Sequence, residues 1–151
     1  MPVPNLKRIS RDPARHRPSH RVASAGGDRY ARLLFRLAQS IELPSTTIVN
    51  VEEQMRGWLA AISKEKRIER QVRAYHEFGE LFDRFSAFTI AKFDDAAVAI
   101  YASLRPGRGH LGTRDMKIAA ISISQSALLL TANRHDFEQI PQLRFENWMD
   151  A

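Results

Sequence analysis

The sequence predicts an α/β domain, on three observations. Apolar runs with helical spacing alternate along the chain with short runs of strand length. Two of the short runs, residues 46–49 and 127–131, are β-branched or apolar without polar alternation, the pattern of strands buried on both faces. Polar groups follow each of them: Asn50, Glu52 and Glu53 after the first, Thr131, Asn133 and Asp136 at the end of the second. In open α/β sheets, the carboxyl ends of the strands are where ligands bind.

The elements follow in order. Residues 1–27 hold Pro2, Pro4, Pro13, Pro18 and the Gly26-Gly27 pair, keep no helical or strand period, and read as a disordered leader. Asp28 is placed to cap a helix through Gln39, with Tyr30, Leu33, Leu34 and Leu37 on one face. Pro44 and Ser45 break the chain, and Thr46-Thr47-Ile48-Val49 reads as a buried strand. Asn50 is placed to cap the next helix, which carries Glu52 and Glu53. Residues 64–67 form a charged turn. Residues 67–85 form a long amphipathic helix, with Val72, Tyr75, Phe78, Leu81, Phe82 and Phe85 recurring at three and four.

Phe88-Thr89-Ile90 is strand-like, and Asp94 caps a helix over residues 96–104. Pro106-Gly107-Arg108-Gly109 is a loop. It leads into the stretch around which the chain is organised, residues 111–137. A Gly112-Thr113 turn precedes Asp115, which opens the apolar-periodic run Met116, Ile118, Ala119, Ala120, Ile121 and Ile123. Gln125 and Ser126 end that helix, and residues 127–131 form the buried strand. Leu143-Arg144-Phe145 is the last strand, and Trp148 packs the C-terminus.

Length and composition narrow the function. A chain of 151 residues with 44% apolar content makes one domain with an ordinary core. It has no cysteine, so disulfides and thiolate metal sites are excluded, which fits a reducing cytoplasm. No apolar run approaches the roughly 20 residues of a membrane span, so no membrane partner is expected. Residues 1–22 carry Lys7, Arg8, Arg11, Arg15, Arg17 and Arg21 against Asp12 alone, so they hold five of the six net positive charges. Two readings stand for this arm: a tail without a partner, or a nucleic-acid-binding extension. His16, His20, His76, His110 and His135 form no helical zinc pair, and the chain has neither a phosphate-binding glycine loop nor a nucleophile elbow.

Gly112, Thr113, Asp115, Ile118, Ala119, Ala120, Ala127, Leu129, Thr131, Asn133, Asp136 and Phe137 stand at fixed spacing, followed by Pro141, Leu143, Glu146 and Trp148. This pattern resembles the C-terminal half of PIN-domain ribonucleases, most closely the VapC-like toxins of type II toxin–antitoxin pairs. The resemblance covers residues 28–150. It implies a PIN-like, Rossmann-like parallel sheet flanked by helices over residues 28–151, behind a leader at 1–27. It also implies a metal-dependent endoribonuclease toxin acting on RNA with Mg²⁺ or Mn²⁺. Asn50 aligns with the Thr of a T-x-x-E motif, which puts the acidic role on Glu53. Glu53 and Asp115 would be metal ligands. Asn133 falls where many members carry a fourth acid, and Asp136 would partly substitute for it or cap a helix before Phe137. The resemblance further implies a cognate antitoxin and a homodimer as partners of the helical hairpin. The aromatic stripe of its second helix is then either that surface or core.

One departure matters most. The family opens with an apolar strand ending in a metal-binding Asp, and no such strand precedes Asp28. We therefore expect the first strand and first catalytic Asp to be absent and activity to be impaired. Residues 13–18, PARHRP, have codons CCN GCN CGN CAY CGN CCN. One base forward these permit CTG CTC GAC ACC GAC, or Leu-Leu-Asp-Thr-Asp, which makes the leader up to about Ala25 a candidate frameshift. The competing expectations are a non-catalytic PIN remnant that binds an antitoxin and a basic-armed RNA-binding protein.

Overall fold

The computed structural model of the chain describes residues 27–41, 43–105 and 109–149. In chain order they form α1 (Gly27–Gln39), β1 (Ser45–Thr47), α2 (Ile48–Lys64), α3 (Ile68–Ser86) and β2 (Thr89–Ala91). These are followed by α4 (Asp95–Leu104), α5 (Thr113–Ser124), β3 (Leu129–Leu130), α6 (Arg134–Phe137) and β4 (Phe145–Glu146). The fold is α/β with parallel strands, as the sequence predicts. The expectations on the leader and on Pro106, Gly107 and Arg108 lie outside the described residues, apart from Gly27, which opens α1.

α5 is the hub. Met116, Ala119 and Ala120 are fully buried, and Ile118, Ile121 and Ser122 nearly so. A helix apolar on all sides belongs inside a domain. Met116 and Ala119 pack with Leu111, Phe137, Ile140 and Leu143. Ile118 and Ile121 pack on the other side with Val49, Ala91 and Ala97. The helix ends as the sequence suggests. Ser126 takes a positive φ of 51°, and the Ala127 N–H donates back to the Ser122 carbonyl at 2.8 Å. This is the reverse turn with which helices close when a residue enters the left-handed region.

Strand boundaries differ from the sequence reading. β1 stops at Thr47, and Ile48 and Val49 already belong to α2. The cause is a cap: the Thr47 hydroxyl accepts the Asn50 N–H at 3.2 Å. Thr47, rather than the expected Asn50, therefore starts the helix, and this local bond outweighs the β preference of Ile48 and Val49. Asp28 likewise lies in the first turn of α1 rather than at its cap. Asp94 caps α4 as expected, accepting the Ala97 N–H at 3.0 Å. The last strand begins at Phe145 and leaves Leu143 to the core around Met116.

The strands form two separate parallel pairs, β1 with β2 and β3 with β4. Between them lies a small cleft with a cavity volume of about 40 Å³. Ser45 and Thr47 of β1 line one part of it and residues 128–131 another, with Ile118, Ile121 and Ser122 of α5 among the remaining lining. No strand joins the two pairs among the described residues. β3, expected over residues 127–131 and buried on both faces, spans only Leu129–Leu130, with Leu129 half-buried and Leu130 buried.

Candidate functional site

β1 runs into α2 without a loop, which fixes where the α2 acids fall. The helix begins at Ile48, so Glu52 and Glu53 lie past its first turn. A helix-dipole role fades within that turn and so does not account for Glu53. Glu52 points to its own helix and pairs with Arg56. Glu53 pairs instead with Arg114 of α5.

Asp115 lies in the first turn of α5, whose N-cap, Gly112, offers no side chain to the helix. Arg114 joins the two acids. Its Nη1 donates to Glu53 Oε1, while its Nε and Nη2 approach Asp115 Oδ1 at 3.4 Å each. Asp115 is the more enclosed acid, its side chain 16% exposed against 36% for Glu53. One planar cation thus touches carboxylates from two helices.

Asn133 and Asp136 lie just beyond β3, as expected, but form a pair of their own. Asn133 Nδ2 donates to Asp136 Oδ2, and the Asn133 N–H donates to Thr131 Oγ1 at 3.1 Å. Asp136 is inside α6 and does not cap it. Among the described residues, no hydrogen bond or ion pair links this pair with Glu53 and Asp115. Among the described residues no three His, Asp or Glu side chains close on one cation position. The four candidate residues thus form two groups, Glu53 with Asp115 through Arg114 and Asn133 with Asp136.

The donor set still fits a hydrated divalent ion. Mg²⁺ is commonly held through one or two carboxylates, with waters completing its shell. The Arg114 guanidinium bridges Glu53 and Asp115, so the two carboxylates lie within the span of one planar cation. Arg114 is the residue that sequence reading missed. Its signal was a basic side chain in the first turn of a helix, where the dipole disfavours positive charge.

A second surface lies on the helical hairpin. On α3, Ile68, Val72, Tyr75 and Phe82 are 72, 68, 57 and 56% exposed. With Gly79 they form a row at alternating spacings of four and three. The adjacent row, which includes Ala74, Phe78, Leu81 and Phe85, is half-buried or buried, and Phe78 meets Phe82 edge to face at 5.5 Å. The aromatic stripe is thus divided between an inner seam and an exposed outer one.

No family model matches the sequence, and no curated protein does so. Solved structures do match. A chain of VapBC2 from Rickettsia felis, crystallised bound to a DNA fragment from its promoter, is 27% identical with a TM-score of 0.58. The match covers 80% of this chain and 86% of that one. VapBC from Salmonella typhimurium, bound to DNA, is 21% identical over 78% of this chain and 84% of its own, with a TM-score of 0.57. VapBC-1 from nontypeable Haemophilus influenzae is 19% identical over 82% and 90%, with a TM-score of 0.61. The PIN-like fold and the VapC resemblance read from the sequence agree with these matches. Among the described residues no helix is long and apolar enough to cross a membrane.

Proposed function

We propose that this VapC-like chain is the toxin member of a toxin–antitoxin pair, and that Glu53 and Asp115 are the core of a metal-dependent endoribonuclease site of reduced activity. The observation that carries this reading is the meeting of the two acids on one cation, Arg114. Acids that served only their own helices would not converge in this way.

A Mg²⁺ or Mn²⁺ ion at the pair would supply an oriented, more acidic water and neutralise charge on a scissile RNA phosphate. The chain's own residues do the rest. Asp115, enclosed at the start of α5, fixes one side of the ion site, and Glu53 reaches it from α2. Asn133 and Asp136 offer further polar groups at the strand end, but they are engaged with each other. Two carboxylates in place of a larger set account for reduced activity. Cleavage of RNA in Mg²⁺ or Mn²⁺, abolished by Asp115→Ala, tests the reading. Cleavage that survives the substitution refutes it.

The partner is an antitoxin, and the outer row of α3 supports this. An exposed row spaced at three and four is the seam with which helices associate. The structural neighbours are themselves VapBC complexes. A second reading, a non-catalytic remnant that only binds the antitoxin, is favoured by the absence of a third acid at the pair among the described residues. Antitoxin binding without RNA cleavage, in the presence of metal, would establish it.

A further inference from the structure

Arg114 stands where helix electrostatics disfavour it. It is in the first turn of α5, at the positive end of the dipole. The attraction that offsets this comes from Glu53 and Asp115, which hold its guanidinium through Nη1, Nη2 and Nε. The two carboxylates with Arg114 keep one net negative charge. The oxygens it touches, Glu53 Oε1 and Asp115 Oδ1, are also oxygens that a divalent ion would use. A guanidinium bonded to both leaves those lone pairs engaged.

We propose that Arg114 is a resident counter-cation of the acid pair, which competes with the divalent ion and must swing away before the ion binds. The inference rests on the reading of Glu53 and Asp115 as a metal site. Arg114 is about half exposed, so the displaced side chain has solvent to enter. It holds the acids together in the ion-free protein and sets the ion concentration at which the site loads. Once displaced, its fork is free to meet a phosphate, the anion that guanidinium groups match in geometry.

The test is a calorimetric titration of Mn²⁺ into the full chain and into Arg114→Gln, Arg114→Lys, Glu53→Gln and Asp115→Asn. Arg114→Gln is expected to tighten Mn²⁺ binding about two- to thirtyfold, the range that loss of two exposed ion pairs allows. Arg114→Lys, which keeps the charge but not the fork, is expected to fall between it and the parent. Glu53→Gln and Asp115→Asn are expected to lose binding. Equal or weaker binding by Arg114→Gln, with binding still dependent on the two acids, overturns the counter-cation role and leaves the metal site standing. Absence of acid-dependent Mn²⁺ binding in the parent and in both Arg114 variants overturns the metal site, and this role with it. Thermal melts of each variant, expected to stay close to the parent, separate loss of binding from loss of fold.

Discussion

Glu53 and Arg114, 61 residues apart in the chain, form an ion pair that ties the second helix to the fifth. The pair is partly open to water, so its contribution to stability is small, about 0–1 kcal/mol by comparison with other exposed pairs. Glu53→Gln and Asp115→Asn should therefore shift a urea midpoint only slightly, while removing metal-dependent RNA cleavage. Urea melts beside a cleavage assay would check this. A large loss of stability in either variant would mean that the acids are structural, and the activity data would then say nothing about chemistry.

The inner and outer rows of α3 should respond differently to substitution. Leu81, buried on the inner row, should cost about 2–5 kcal/mol when cut to Ala, as truncations of buried leucines do. Val72→Glu with Phe82→Glu on the outer row should leave stability nearly unchanged. The two substitutions should instead weaken association with the antitoxin, read by sedimentation velocity of the mixture across a concentration series. Unchanged sedimentation of the mixture, with the parent binding the antitoxin, would remove the outer row from the interface.

The same helix marks what could be read in the sequence. Apolar spacing located α1, α3 and α5, because period alone shows which face is apolar. It did not show that the face of α3 exceeds what the hairpin buries, since that depends on where α2 ends and how it packs. Asp115 and Glu53 were legible through motif spacing, while their convergence on Arg114 was not, because it joins residues far apart in the chain. The separation of Asn133 and Asp136 from that pair was hidden for the same reason: spacing places groups on a strand end but not their hydrogen bonds. Strand limits failed where a side-chain cap competed with β preference, at Thr47.

That cap gives a prediction of its own. Thr47→Ala should cost about 0.5–2 kcal/mol, the range for losing a capping hydroxyl. Thr47→Ser, which keeps the acceptor, should recover most of it. Asn50, which donates its N–H to this cap, has a buried side-chain oxygen without a hydrogen-bond partner among the described residues. Because an unsatisfied acceptor contributes no bond, Asn50→Ala should cost less than Thr47→Ala. Chemical denaturation of the three variants would check the order, and a larger loss at Asn50 would mean that its side chain is engaged.

The cleft between the strand pairs gives the last prediction. Ser45, Thr47 and residues 128–131 line it, and no strand joins the β1–β2 and β3–β4 pairs among the described residues. A strand lying between two pairs extends both ladders through its own N–H and C=O groups. An apolar strand placed ahead of α1 is expected to take that place. Each buried aliphatic side chain it brings is worth about 1.5–3 kcal/mol. Two leucines would thus bring about 3–6 kcal/mol, which reaches the lower end of the ~5–15 kcal/mol net stability of a whole domain. The shifted reading frame of residues 13–18 supplies a candidate in Leu-Leu-Asp-Thr-Asp. A chain carrying this segment ahead of Gly27 should melt at a higher temperature and more sharply than the parent. Through the added Asp, it should also bind Mn²⁺ more tightly. A control segment of equal length with proline at alternate positions should do neither, since proline cannot donate to a ladder. Equal melting midpoints in all three chains would show that the cleft does not take a strand, and equal Mn²⁺ affinity would separate the added Asp from the acid pair.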